Sequence, residues 1–317
     1  MILNIILLII GFIILIKGAD YFVDGVKSVA YHFHVPKILI GLTVVAFGTS
    51  APELAVSIKS ILSGNYDIVL GNVIGSNIMN VLLILGVSSL FHPLLVKKSL
   101  LKKELPITIF LTFLFAILLN ESMFTSETIN NFSRADGIIL LTLFSLFLYF
   151  LIRKTTTDDE NEIQENDMSL FKAIIYTLSG ITMIIIGSNM VVKSACLIAE
   201  INGISQKLIS LTIVAFGTSL PELVTSVMAT IKGEYDIAIG NIIGSNMFNI
   251  GIVIGLPVTI FGGINKVSFD YIDVLVMLIS ISLLYIFAKK DYKITRLEGI
   301  IFLIIFSIYY ALILISG

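Results

Sequence analysis

Glu53 and Glu222 each follow a proline in two near-identical octapeptides, "AFGTSAPE" (46–53) and "AFGTSLPE" (215–222), and each lies within a long apolar stretch. A carboxylate at the middle of a bilayer costs on the order of 3 kcal/mol on insertion scales, so two acids in matched settings require a chemical reason. Pro52 has no N–H to give the carbonyl of Gly48 and its ring crowds that carbonyl, which predicts a helix broken around Gly48–Pro52. Backbone carbonyls near Ala46–Thr49 are then freed beside the hydroxyls of Thr49 and Ser50. In hydrocarbon such groups are tolerated only where protein, cavity water or an ion satisfies them. Oxygen ligands of this kind suit hard cations such as Ca²⁺ and Na⁺ rather than zinc or copper. A plainer reading makes Ser50–Glu53 a capping box that starts a half-helix with proline in its first turn. That reading accounts for Ser50 and Pro52 and leaves the buried acid unexplained.

A second motif, "GNVIGSNIMN" at 71–80, recurs as "GNIIGSNMFN" at 240–249. On a helix Asn72, Ser76 and Asn80 fall four apart and share one face, while Gly71 and Gly75 form a small strip that admits a close neighbour. Interhelical hydrogen bonding alone would also place Asn and Ser here. The spacing favours a site: Ser76 and Asn80 follow Glu53 by 23 and 27 residues, and Ser245 and Asn249 follow Glu222 by the same distances.

The elements that hold these motifs are membrane spans. Hydrophobic residues are 57% of the 317 and charged ones 13%, about half the charged share of a soluble domain. At about 20 apolar residues per crossing, ten helices are expected, near 2–28, 38–62, 68–91, 105–120, 137–152, 170–199, 208–231, 237–262, 271–288 and 297–315. The first run lacks a basic n-region and a small-residue cleavage site, so it reads as a retained span rather than a signal peptide. Net charge near −2, with no basic patch interleaved with aromatics, excludes nucleic-acid binding. The lone Cys196 excludes an internal disulfide and a cysteine zinc site.

Shifting the chain by 169 residues superposes 40–86 on 209–255 without a gap, with 25 identities in 47 positions. Each half then holds five helices, and because five is odd the second copy enters the membrane from the opposite face. The expected organisation is an all-α polytopic membrane protein with two inverted five-helix repeats, 1–153 and 170–317, joined by an acidic linker at 154–169, with helices 2, 3, 7 and 8 broken. The linker has no EF-hand glycine, so it reads as a solvated connection rather than a calcium sensor. Lys and Arg cluster at 97–103, 153–172 and 289–296. This bias predicts that these loops are cytoplasmic and both termini extracellular, in the cell membrane. Asp67 and Asp236 read as helix N-caps, Lys17, Asp20 and Asp24 as a local or snorkelling group, and His32, His34 and His92 as solvated.

The two broken segments would meet from opposite sides as a desolvated cage around Glu53 and Glu222, its paired charge neutralised by a divalent cation. With the doubled "GTSxPE" and "GNxxGSNxxN" motifs, the chain resembles the cation/calcium exchanger superfamily, specifically the prokaryotic Na⁺/Ca²⁺ antiporters, over essentially its whole length. The resemblance implies that Glu53 and Glu222 are the central Ca²⁺ ligands, joined by the carbonyl and hydroxyl of Thr49 and Thr218. It further implies flanking Na⁺ sites from Ala46, Ser50 and Ser76 and from Ala215, Ser219 and Ser245, with Asn80 and Asn249 lining the middle. Some relatives carry Asp where this chain has Asn249, and the proton-coupled branch typically has a glutamate near Ile74 and Ile243. The expected activity is therefore Na⁺-driven Ca²⁺ antiport, with the ions as substrates, no cofactor, no enzymatic chemistry and no obligate protein partner. A proton- or K⁺-linked exchanger and a passive cation channel are the alternatives. An intramembrane hydrolase is disfavoured, because two near-identical settings cannot separate an acid from a base.

Overall fold

The computed structural model of the chain describes residues 1–120, 131–154, 168–204, 212–213, 215–264 and 271–316. Its helices are α1 (Ile2–His32), the bent pair α2 (Lys37–Thr49) and α3 (Ala51–Leu62), α4 (Tyr66–Phe91), α5 (Lys98–Lys102), α6 (Glu104–Leu119) and α7 (Arg134–Lys154). The chain continues with α8 (Leu170–Ile201), α9 (Ala215–Thr218), α10 (Leu220–Ile231), α11 (Tyr235–Phe261), α12 (Tyr271–Asp291) and α13 (Arg296–Ser316). Seven helices among the described residues are long and apolar enough to cross a membrane, and the bent pair α2–α3 makes an eighth span. At the remaining two expected spans, α6 has 16 residues, and α9–α10 is preceded by residues that lie outside those described. Most of the acidic linker also lies outside the described residues.

α4 and α11 form the centre. Their spans are 72% and 94% buried inside the protein, against 22–33% for the other five long helices, which present apolar side chains outward. The main core surrounds this pair with side chains of α6, α7, α12 and α13, such as Phe115, Phe144, Met277 and Phe302. A smaller core joins α1 and α8 to α2, α10 and the start of α11. α1 and α8 lie backbone to backbone along glycines spaced by seven. A Cβ on Gly18 would stand 2.7 Å from Met183 Cβ, and one on Gly180 would stand 2.5 Å from Phe22 N. Small residues are what permit such an approach.

The break expected at Gly48–Pro52 is present. α2 and α3 meet at Ser50 with a bend of 46°, and Pro52 sits in the first turn of α3, where a missing N–H costs nothing. α9 and α10 repeat this around Ser219, with Pro221 in the first turn of α10. Turns with left-handed glycines, Gly64 at φ +72° and Gly233 at φ +75°, then lead into α4 and α11. The expectation that the third and eighth helices are also broken is not met. α4 and α11 run through, with π-helical winding at Met79–Leu85 and Asn249–Ile254. α4 contains no proline to stop it, and in α11 the only one, Pro257, falls beyond the wide turns. Wide turns of this kind stand out a residue from the helix without ending it.

The connections gather at two ends. At one, the strand Leu94–Leu95 pairs antiparallel with Lys293–Ile294, His32 Nε2 lies 2.7 Å from the carbonyl of Met168, and His92 stacks on Tyr235. His32, one of the histidines read as solvated, is therefore docked and only partly exposed, whereas His92 remains exposed. The same end carries the ion pairs. Glu234 is held by Lys27 at 2.6 Å and Lys37 at 2.7 Å, and Lys232 by Asp20 at 2.7 Å and Asp24 at 2.6 Å. Asp236 pairs with Lys97 at 2.9 Å rather than acting as a cap, since Glu234 occupies the N-cap of α11. Asp20 and Asp24 thus bond a lysine from the other half of the chain instead of forming a local group. At the opposite end Phe132 and Ile264 exchange backbone hydrogen bonds of 2.9 and 2.7 Å.

Candidate ion-binding site

Glu53, in the first turn of α3, and Glu222, in the first turn of α10, are both 1% exposed. Each faces hydroxyls of the opposite copy: Glu53 meets those of Thr218 and Ser219, and Glu222 those of Thr49 and Ser50. Ser50 Oγ donates to Glu222 Oε1 at 2.7 Å. Ser50 is the N-cap residue of α3 but makes no side-chain cap, so the capping-box expectation fails: its backbone sits at φ −88°, ψ 6° rather than in the extended conformation of a cap, and its hydroxyl points to the acid of the other half. Ser219, its counterpart, also makes no cap and donates to Ser76 Oγ at 3.3 Å.

α4 and α11 supply the remaining wall. Asn72 Nδ2 donates to the backbone carbonyl of Glu53 at 3.0 Å and to Ser57 Oγ at 3.1 Å. Its counterpart Asn241 donates to Ser226 Oγ at 2.9 Å, while Asn241 Oδ1 accepts from Thr49 Oγ1 at 3.0 Å. Asn80 Nδ2 donates to Asn246 Oδ1 at 3.0 Å, and Asn249 Nδ2 to Asn77 Oδ1 at 3.1 Å. Residues 169 apart therefore make matching contacts around one centre.

Five side-chain oxygens of this group are buried without a hydrogen-bond partner: Glu53 Oε2, Glu222 Oε2, Asn80 Oδ1, Asn249 Oδ1 and Ser245 Oγ. Buried polar atoms are nearly always paired, and a cation is one partner that unpaired oxygens from both copies could take. The carbonyl of Ala46 accepts from Ser50 N at 3.0 Å and lies 3.4 Å from Thr49 Oγ1. Ala215 opens α9, one residue before Phe216. Among the described residues no three His, Cys, Asp or Glu side chains converge. The group thus offers two formal charges amid neutral oxygens, a donor set for hard cations rather than for transition metals.

The sequence reading did not single out Asn77, Asn246, Asn241, Ser57 or Ser226. The signal was present, because all five fall at positions identical in the two copies.

The family model described as sodium/calcium exchanger protein matches residues 3–153 and 172–315, which takes in both motif-bearing halves. The chain belongs to the sodium/calcium exchanger family. This is a family of transporters, not enzymes. The exchanger is 34% identical to the sodium/calcium exchanger MaX1 of Methanosarcina acetivorans over 96% of each chain. It is 38% identical to the inner membrane protein YrbG of Escherichia coli over 81% of this chain and 80% of the relative. Among solved structures it resembles the sodium-calcium exchanger NCX_Mj, soaked with 2.5 mM Na⁺ and 0.1 mM Ca²⁺, with a TM-score of 0.85 and 34% identity over 98% of each chain. The exchanger is thus a multi-pass helical membrane protein with the fold of that transporter.

Proposed function

We propose that this exchanger is a secondary antiporter that carries Ca²⁺ out of the cell in exchange for Na⁺ entering down its gradient. The observation that carries the reading is the pair Glu53 and Glu222, each buried, each from its own copy of one motif, and each with an oxygen that no protein donor satisfies. One dehydrated Ca²⁺ neutralises two carboxylates, and so do Na⁺ ions in flanking positions. In this reading Glu53, Glu222, Thr49 and Thr218 hold Ca²⁺. Ala46, Ser50, Ser76, Ala215, Ser219 and Ser245 complete the Na⁺ sites, and Asn80 and Asn249 line the middle. Both ions are substrates, and no cofactor takes part.

The electrostatics make exchange obligatory. Two unneutralised charges in a low-dielectric interior are costly, so the site changes sides readily only when loaded, and a gradient of one ion drives the other. Alternating access is supported by helices that break at the site and approach it from opposite ends, as in other inverted-repeat transporters. We further propose ten spans in two inverted repeats, 1–153 and 170–317, with both termini outside and the linker at 154–169 in the cytoplasm of the cell. Support comes from the odd number of helices per repeat and the lysine-rich loops gathered with the strand pair at one end.

The test is uptake of Ca²⁺ into proteoliposomes loaded with Na⁺. Uptake is expected to follow the outward Na⁺ gradient and to stop when that gradient is collapsed. Uptake at an equal rate without a gradient would instead identify a passive channel.

A further inference from the structure

The amides of Asn80 and Asn249 face a choice that a carboxylate does not. One end of the group is an acceptor and the other a double donor, and only the oxygen end attracts a cation. The two ends are nearly the same in shape, so packing alone does not select between them. In this protein each NH₂ is engaged by an acceptor from the opposite copy, Asn80 by Asn246 Oδ1 at 3.0 Å and Asn249 by Asn77 Oδ1 at 3.1 Å. Asn80 Oδ1 and Asn249 Oδ1 are left buried and without a partner, as are Glu53 Oε2 and Glu222 Oε2. All four asparagines are at most 3% exposed, so water does not compete for the donors.

We propose that Asn77 and Asn246 are positioning residues that lock the amides of Asn249 and Asn80 with their oxygens toward the ion. The inference rests on the transport reading above and adds to it the residues that set which face the middle of the site presents. Each of α4 and α11 supplies one oriented amide and, three residues earlier, the acceptor that orients its partner's. The arrangement is thus reciprocal across the two halves. The alternative is that these bonds only hold α4 against α11.

The two roles separate experimentally. Asn77→Leu removes the acceptor at similar volume, whereas Asn77→Asp keeps an oxygen at the same place. In the Asn249→Asp background the oriented group has oxygens at both ends, so orientation no longer matters. Ca²⁺ affinity is read by calorimetry on purified protein and as the half-saturating Ca²⁺ of Na⁺-driven uptake. Asn77→Leu is expected to weaken Ca²⁺ about 10–100-fold, the usual effect of losing a partner that orients a ligand, with the maximal rate within about twofold. Asn77→Asp, whose added charge also favours a cation, is expected to bind Ca²⁺ no more than about threefold more weakly than the unmodified protein, and adding Asn77→Leu to Asn249→Asp is expected to cost less than about threefold.

An equal loss from Asn77→Leu in both backgrounds, or no loss in either, would overturn the proposal. If Asn77→Leu fails to fold, the Asp variant decides, since a tenfold loss of Ca²⁺ affinity with the acceptor retained would also overturn it. Failure of the unmodified protein to bind Ca²⁺ would instead overturn the transport reading itself.

Discussion

Ser50 Oγ donates to Glu222 Oε1 across 2.7 Å, although 172 residues separate them in the chain. A serine that local sequence rules assign to the start of its own helix instead serves the acid of the other half. Side chains of the two copies of the motif are therefore in direct contact. The mirror contact differs in detail, because Ser219 gives its proton to Ser76 at 3.3 Å. The centre is symmetric in residue type and asymmetric in hydrogen bonding, so the two carboxylates occupy distinct environments despite nearly identical sequences.

Glu53→Gln and Glu222→Gln are each expected to lower Na⁺-driven Ca²⁺ uptake by at least about 100-fold, the upper end of what losing even an outer-shell partner costs. A single remaining carboxylate leaves a dehydrated divalent ion half neutralised. The amide keeps the shape of the acid, so the yield of folded protein should match that of the unmodified chain. Either variant retaining half the normal uptake rate would remove the paired carboxylates from the mechanism.

Much of this was legible in the sequence because the decisive signals are local and doubled. Pro52 and Pro221 announced the breaks around Ser50 and Ser219, and the run of apolar residues gave every long helix to within a few positions. What escaped depends on partners far away in the chain. Asp20 and Asp24 could not be assigned to Lys232, nor Lys97 to Asp236, because those pairs exist only once the halves are packed. The winding of α4 and α11 was misread as breakage for a related reason. Glycines and asparagines loosen a helix, but neighbouring helices decide whether it widens or ends. Asn77 and Asn246 were passed over because one amide orienting another is invisible until the two are in contact.

Glu234 gives a pH-dependent contribution to stability. Burial works against its charge, but hydrogen bonds and charge from Lys27 and Lys37 more than offset this and hold its carboxyl below the usual value of 4.5. A depressed carboxyl contributes stability above its unfolded pKa and loses it as pH falls through the folded one. Glu234→Gln should therefore lower the melting temperature near neutral pH. Both lysines are partly exposed, which keeps the expected shift to about 3 °C. In thermal melts of purified protein the gap between variant and parent should close as pH drops below about 4.5. A gap that stays constant to pH 3 would show that the charge of Glu234 is not the source.

Sidedness is testable with single cysteines once Cys196 is replaced. Ser63, in the turn between α3 and α4, and Lys290, at the end of α12, are both exposed. On intact cells a cysteine at position 63 should react with an impermeant maleimide, and one at position 290 should react only after permeabilisation. The reverse pattern would invert the proposed orientation, and labelling of both from outside would break the alternation of loops on which the ten-span reading depends.

Transport should proceed without K⁺. By the family resemblance, K⁺-dependent members carry an aspartate where this chain has Asn249, and a third negative charge beside two glutamates can hold a further monovalent cation. Asn249 offers only the dipole of an amide oxygen, and Asn80, its counterpart in the first half, is equally neutral. The NH₂ group of Asn249 is engaged by Asn77 and that of Asn80 by Asn246. With the membrane potential clamped, Na⁺-driven Ca²⁺ uptake should be equal in K⁺ and in choline. Asn249→Asp adds the missing charge and should introduce a dependence on K⁺, or on pH if a proton takes that place instead. A strict K⁺ requirement in the unmodified protein would mean that the charge at position 249 does not set ion coupling, and that the third cation is held by neutral oxygens alone.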